Sequence, residues 1–342
     1  MLEKRVTMPD VEMLHAYVSP KDQSSLDLLP EGLQSGEQIF RFLPGSDLKI
    51  PDFRDISTLR ADSRASLEMY DFEGARTIYR NFLSWMFRTF DADEGEFRND
   101  LLNRLQLRPN SRVLVTGCGI GDDVFALADL LGPEGMIFAS DLAPEMILAT
   151  HAGLAERSSE SKANVSLSVC DACSLPFSGG YFDAAFHFGG INLFDDVGLA
   201  INEMARVTRD GGRIVFGDEG VAPWLANTEY GRMVVANNHL WSAKAPIDLL
   251  PFSAVNPKLS WVLGNCFYVI EFEKDTNGPS INPDIQHVGR RGGSMRSRYF
   301  GQLEGVDPGL KDQVLRAAAD KKMSVADWLA QAVGDALKSS KP

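Results

Sequence analysis

Little in this 342-residue chain could staple it or anchor it. Four cysteines do not make a disulfide framework, and Cys170-x-x-Cys173 has no second pair, so the thiols read as reduced and mostly buried. A metal or redox pair is the lesser reading, and no metal site is expected. No run reaches the ~18–20 apolar residues of a membrane span, and Met1-Leu2-Glu3-Lys4-Arg5 leads into no signal-peptide core. A soluble cytoplasmic protein is the expectation. Basic residues are outnumbered: 34 Lys and Arg against 47 Asp and Glu give a net charge of −13. That balance opposes non-specific binding to nucleic acid or anionic membranes, though it leaves room for local basic patches. What is present, 44% hydrophobic and 24% charged residues, is globular and excludes wholesale disorder. The length suits one large domain with attachments, or two domains.

Residues 1–60 are weakly patterned and rich in turn formers (Pro20, Pro30, Gly32, Gly36, Pro44-Gly45, Pro51), which suggests an arm or lid packed on something larger. From about 61 the pattern sharpens. Leu67, Tyr70, Ile78, Phe82, Trp85, Met86 and Phe90 recur at helical spacing across 63–90, and 96–106 supplies a further helix. Strands at 112–116, 136–140, 165–170, 182–187 and 213–217 then alternate with helices at 122–131, 144–157 and 195–208. Such alternation implies βαβ units and a parallel sheet covered on both faces. After a helical stretch at 228–242, strands 259–263 and 267–273 flank Gly264-Asn265 as an antiparallel pair. The expected fold is α/β, a Rossmann-like, seven-stranded, mostly parallel sheet with helices on both faces. The expected divisions are an arm (1–60), the main domain (61–276), a linker (277–296) and a small strand-helix-helix module (297–342).

The informative segment is Val113-Leu-Val-Thr-Gly117-Cys118-Gly119-Ile-Gly121-Asp122-Asp123. A buried strand runs into three glycines and then a helix, so the backbone can approach a ligand closely and the helix N-terminus can face its anionic end. The dinucleotide fingerprint G-x-G-x-x-G would need its third glycine at Asp122, where a carboxylate would oppose a pyrophosphate. A ligand ending in an amino acid suits the loop better. The next strand ends about 20 residues on at Asp141, where a carboxylate can accept both hydroxyls of a ribose. The third ends at Cys170-Asp171-Ala172, within reach of an adenine amino group.

In this order the motifs resemble class I S-adenosylmethionine-dependent methyltransferases, over roughly 65–272, with the ubiquinone/menaquinone C-methyltransferase-like branch nearest. Leu175-Pro-Phe-Ser-Gly-Gly-Tyr-Phe-Asp183 and Glu203-Met-Ala-Arg-Val-Thr-Arg-Asp-Gly211-Gly212 extend the likeness. The resemblance implies that Gly117, Cys118, Gly119 and Gly121 pass around the methionine portion of S-adenosyl-L-methionine. It implies that Asp141 holds the ribose, Leu142 lies on the adenine, and Asp171 with Ala172 read its edge. His187 and Phe188 would sit beside the sulfonium, and Tyr70 and Tyr79 would close over the cofactor, although the spacing from Ala75 to Tyr79 is one residue longer than in the family. Plainer readings stand beside these: tight-turn glycines, Asp141 as a helix cap, Asp171 as a turn residue and Cys118 as a packing residue. Methyl transfer from a sulfonium needs a general base only where the acceptor loses a proton, and His187, Glu219 and His239 are the candidates. Trp224, Tyr230, Met233 and Trp241 could wall an acceptor pocket or pack in the core.

The last zone resembles a ribbon–helix–helix module. A strand at 297–306 would place Tyr299 and Leu303 on one face and Arg298, Phe300, Gln302 and Glu304 on the other. It is followed by a helix opened by Asp307-Pro308 and another opened by Ser324 with Asp327. Such modules dimerise through their strands, so a homodimer is expected. Arg290, Arg291, Arg296 and Arg298 form a basic run, yet DNA contact is the less favoured use. The main expectation is methyl transfer to a small-molecule acceptor. The alternatives are a cofactor-binding transcriptional regulator and an NAD-dependent dehydrogenase.

Overall fold

The computed structural model describes residues 11–44, 49–157, 163–289, 293–299 and 306–339. The chain divides into two compact units, Met1–Pro279 and Ser280–Pro342.

In the first unit, α1 (Val11–Leu14) precedes a three-stranded antiparallel meander of β1 (Asp27–Leu29), β2 (Gly32–Ser35) and β3 (Gln38–Arg41). Three helices follow: α2 (Ala61–Tyr70), α3 (Ala75–Thr89) and α4 (Glu94–Asn103). The helical pattern over 63–90 is therefore two helices, broken where Gly74 takes a left-handed φ of 97°. The main sheet is then built from β4 (Arg112–Thr116), α5 (Asp122–Leu130), β5 (Met136–Asp141), α6 (Pro144–Glu156), β6 (Asn164–Val169), β7 (Phe182–Phe188), α7 (Val197–Val207) and β8 (Thr208–Glu219). It is completed by α8 (Glu229–Asn237), β9 (Ala254–Val262) and β10 (Phe267–Lys274).

Its strand order is β6-β5-β4-β7-β8-β10-β9. The first five strands run parallel, and β10 lies antiparallel between β8 and β9. The expected α/β, seven-stranded, mostly parallel sheet is thus the observed one. Strands covered on both faces cannot alternate apolar with polar residues, and Val113, Leu114 and Val115 are accordingly all buried. β8 begins earlier than the pattern suggests. Phe182 pairs with Thr208 and Ala184 already with Arg213, so Arg209–Gly212 bulge out of the ladder around Gly211, whose φ is 71°.

The polypeptide winds from β4 through β5 to β6 in one direction, and β7 then starts the other half on the far side of β4. The crevice between the C-terminal ends of β4 and β7 is a topological switch point, where folds of this kind bind ligands.

The N-terminal arm belongs to the same unit and packs on the sheet edge rather than over the crevice. Phe53 donates its N–H to the Val169 carbonyl (2.8 Å) and Val169 donates to Pro51 (2.9 Å), which covers the open edge of β6. The Tyr17 hydroxyl hydrogen-bonds Ser166 at 2.9 Å, and its ring packs on Phe53 and Phe177. Arg54, paired with Asp52 at 2.7 Å, donates to the Leu142 carbonyl at 3.3 Å and so braces the loop after β5.

The second unit corrects one expectation. Ser297–Tyr299, expected to begin a strand, belong to a short helix, α9 (Met295–Tyr299). The cause is a reciprocal cap: the Ser297 N–H donates to Ser294 Oγ (3.2 Å) and the Ser294 N–H to Ser297 Oγ (2.8 Å). Residues 300–305 of the expected strand, with Phe300, Gln302, Leu303 and Glu304, lie outside the described residues, as do Arg290 and Arg291. Arg296 is engaged with Asp284 at 2.7 Å. Beyond these, α10 (Pro308–Asp320) is capped by Asp307, and α11 (Val325–Ser339) follows Ser324, whose Oγ accepts the Asp327 N–H. Both helix starts agree with the sequence pattern.

Candidate active site

A cleft opens at the switch point. The loop after β4 forms its floor because its glycines adopt conformations that other residues resist: φ is 58° at Gly117, 55° at Gly119 and 93° at Gly121. A Cβ on Gly117 would stand 2.9 Å from the His187 ring. Gly121 does not line the cleft. It precedes α5, and a Cβ there would meet Phe125 and Thr150 at 2.8 Å, so its requirement is one of packing.

Asp141, at the end of β5, ties this loop down. One carboxylate oxygen accepts the Gly119 N–H and the other the Ala143 N–H, both at 2.9 Å. Burial raises its pKa, and the N–H donors oppose that shift. Each oxygen retains further lone-pair capacity. Thr150 on α6 donates to the Gly119 carbonyl at 2.8 Å from the opposite side. Cys118 is buried, and burial pushes its thiol up, as suits a packing residue. Asp171 takes the Cys173 N–H at 2.8 Å, so it shapes a turn while lining the cleft beside Ala172.

β7 and β8 bring acid–base groups to the wall. The His187 Nδ1–H donates to the Thr116 carbonyl at 2.8 Å, which leaves Nε2 as an acceptor. Nε2 is buried without a partner among the described residues. Burial lowers the imidazole pKa, although the Asp218 charge opposes this. Glu219, 8% exposed, has its pKa pushed up to about 10 by burial and by its hydrogen bond to the Asp218 carboxylate. Asp218 is itself held by the N–H groups of Asn192 (2.7 Å) and Glu219 (2.8 Å), while the Tyr268 hydroxyl fixes Asn192 at 3.1 Å. The site therefore presents a neutral carboxylic acid and an unprotonated imidazole nitrogen at neutral pH.

Tyr70 and Tyr79 meet edge to face, 5.9 Å between ring centres, with Tyr79 over Gly119. Burial raises the Tyr70 hydroxyl to about 12, and Glu219, Asp141 and Asp218 add to the shift. The carboxylate of Asp195 accepts the N–H groups of Arg60 (2.8 Å) and Ser63 (3.0 Å), which fastens the start of α2 beside the cleft.

Of the residues singled out from sequence, Tyr70, Tyr79, Gly117, Cys118, Gly119, Asp141, Leu142, Asp171, Ala172, His187, Phe188 and Glu219 line the cleft. His239 does not: it is exposed, and its neighbour Leu240 lines the wall instead. Trp224 and Met233 are more than half exposed, Tyr230 donates to the Gly264 carbonyl, and Trp241 is buried against Phe90 and Phe267. None of the four walls the cleft. That role falls to Phe82, Leu83, Met86 and Phe87 of α3, with Phe194 and Phe267.

The electrostatic argument from Asp122 also changes. Its carboxylate is engaged by Arg80 at 2.6 Å and approached by Arg98 at 3.5 Å, so its charge does not stand free at the loop mouth. Arg98 is the residue the sequence reading missed. It lines the cleft while bonding Asp123 and Glu94, each at 2.7 Å. Burial works against its charge, yet Asp123 and Asp122 more than reverse that and hold its pKa above the ordinary value. The Glu94-x-x-x-Arg98 spacing was the available signal. Arg98→Ala would leave Asp123 charged, buried and unpaired. A loss of about 3–5 kcal/mol in stability is expected, readable by urea denaturation at neutral pH.

Residues 107–265 match a family described as "Methyltransferase domain". The match runs from just before β4 to the turn before β10, just under half of the chain. Demethylmenaquinone methyltransferase of Geobacillus sp. (strain WCH70) is 27% identical over 43% of this chain and 56% of its own length. Nocamycin O-methyltransferase of Saccharothrix syringae is 30% identical over 51% of this chain and 61% of its own. The chain spans about half the length of the curated relatives it matches. Among solved structures, Haemonchus contortus phosphoethanolamine N-methyltransferase 2, bound to phosphomonomethylethanolamine and S-adenosylhomocysteine, superposes with a TM-score of 0.50 at 14% identity. That superposition covers 63% of this chain and 61% of the other, and it supports the α/β fold. The regulator and dehydrogenase alternatives gain nothing from these matches. Among the described residues no group of side chains could hold a metal ion, and no helix is long and apolar enough to cross a membrane.

Proposed function

We propose that this chain transfers a methyl group from S-adenosylmethionine to a small, mainly apolar acceptor. The observation that carries the reading is the glycine loop at the switch point, locked to Asp141 by the Gly119 N–H, with room where side chains would otherwise fill the floor. The loop and its neighbours suit the cofactor. Backbone around Gly117–Gly119 meets the methionine portion, the free lone pairs of Asp141 accept the ribose hydroxyls, and Leu142, Asp171 and Ala172 border the adenine. His187 and Phe188 then face the sulfonium, and Tyr70 and Tyr79 cover it. When bound, the cofactor supplies a methyl group already activated on a sulfonium.

The work left to the chain is alignment and exclusion of water. Phe82, Leu83, Met86 and Phe267 favour an apolar acceptor body. Glu219, as a neutral acid, donates a hydrogen bond to an acceptor oxygen or nitrogen, and His187 Nε2 can take a proton where the acceptor must lose one. Self-association through residues 297–342 belongs to the same proposal. It is supported by Leu310, Leu315, Val333 and Leu337, which stand more than half exposed on α10 and α11. The helix at Met295–Tyr299 takes up the first residues of the expected ribbon, and DNA contact stays the less favoured use of this unit.

The test is calorimetric titration of the full chain with S-adenosylmethionine and S-adenosylhomocysteine, followed by methyl-label transfer to a panel of apolar acceptors. Micromolar, saturable binding of both is expected. Folded protein that binds neither overturns the reading.

A further inference from the structure

A second cavity lies at the opposite end of the same strands. It is lined by Arg108 and Arg112 around the start of β4, Asp183 at the start of β7, and Arg209 and Arg213 around the bulge that opens β8. β4 is five residues long, so about 17 Å of strand separates this cavity from the glycine loop.

Four guanidinium groups and one carboxylate converge here on a chain whose net charge is −13. The overall field repels anions, so the cavity is a local reversal of it. Two of the arginines are positioned by the protein. Arg112 lies over the Tyr181 ring at 4.6 Å, and Arg209 is held by Asp183 at 2.8 Å and by the Asp210 carbonyl at 2.9 Å. The side chains of Arg108 and Arg213 have no hydrogen-bond or ion-pair partner among the described residues. Glu273 stands opposite Arg213 in the β8–β10 ladder without forming an ion pair with it. Asp183 is already engaged twice, by Arg209 and by the Arg112 N–H at 2.8 Å. Like charges gathered in a concavity without matching carboxylates are disfavoured unless an anion joins them. The planar, forked donors of arginine match phosphate oxygens in pairs.

We propose that this cavity binds a small multivalent oxyanion, a phosphate or diphosphate group. Arg108 and Arg213 supply the free donors, and Arg112 and Arg209 supply a fixed positive wall. Nothing in the methyl-transfer reading depends on it.

The experiment is calorimetric titration of the full chain with inorganic pyrophosphate and, separately, inorganic phosphate. Each is repeated with sodium chloride matched for ionic strength and with an aspartate-rich peptide. Saturable binding of pyrophosphate is expected, tighter than that of phosphate and weakened by added salt. Arg108→Ala with Arg213→Ala should weaken it at least tenfold and leave S-adenosylmethionine titrations unchanged. Because neither side chain has a partner to lose, the double variant should melt within a few degrees of the parent. A second variant, Arg213→Lys, should lose part of the affinity because it keeps the charge without the fork. Absence of saturable heat, equal binding by parent and double variant, or tighter binding of the peptide than of pyrophosphate would each overturn the assignment.

Discussion

Replacing Asp141 with alanine should abolish S-adenosylmethionine binding, with an affinity loss of roughly 100-fold or more, and leave the sheet folded. The size follows from two losses at one residue. On the proposed reading its carboxylate accepts hydrogen bonds from the ribose, and contacts to a charged acceptor contribute about 1.5–3 kcal/mol each. The same carboxylate also holds the N–H groups of Gly119 and Ala143. Without it the Gly119 N–H has no acceptor, and the loop that must lie against the ligand loses its lock. Asp141→Asn separates the contributions. An amide offers one acceptor oxygen and turns an NH2 group toward the other backbone donor, so one of the two loop contacts becomes repulsive. The asparagine variant should therefore bind measurably, but far more weakly than the parent. Calorimetry on both variants, beside far-ultraviolet circular dichroism to establish folding, makes the comparison. Alanine-variant affinity within threefold of the parent would show that neither the ribose contact nor the loop lock resides in Asp141.

What could be read from the sequence was whatever depends on neighbours along the chain. The glycine spacing after a buried strand, the carboxylate closing the next strand and the caps at Asp307 and Ser324 are local, and each lies on the element expected for it. What could not be read depends on pairs far apart. Tyr17 finds Ser166 across 149 residues, and Asp195 caps a helix that begins more than 130 residues earlier, so the arm's place on the sheet edge had no local signature. Asp122 looked like a free charge because Arg80 and Arg98 reach it from other helices. Asp218 sat unremarked beside Glu219, yet it fixes that residue's protonation and anchors Asn192. At Ser294–Ser297 a local cap overrode an alternating pattern, since two residues that satisfy each other's backbone donors start a helix whatever their neighbours' hydropathy.

Glu219 gives the second large effect, and it is one of pH. In the folded protein burial and the Asp218 carboxylate hold its pKa near 10, against an ordinary 4.5. As pH rises through 4.5 the unfolded chain releases this proton while the folded chain keeps it. Between those values the unfolded state binds fewer protons, so stability falls as pH rises. The slope for one such group approaches about 1.4 kcal/mol per pH unit. The contribution is thus fully present below 4.5, declines across the neutral range and is gone above 10. Glu219→Gln stays neutral at every pH and can still donate to Asp218, so it removes the slope without removing the contact. Urea denaturation at pH 5.5, 7.0 and 8.5 should show parent and variant converging at the lowest pH and the variant gaining stability with each step upward. Parallel lines would mean that Glu219 is already ionised in the folded state across this range, so that neither burial nor Asp218 holds its proton. The same variant bears on chemistry. A group that only donates a hydrogen bond is replaceable by glutamine but not by alanine, whereas a general base is replaceable by neither. Methyl transfer that survives in Glu219→Gln and fails in Glu219→Ala would therefore assign Glu219 to holding the acceptor and leave His187 as the residue able to take a proton.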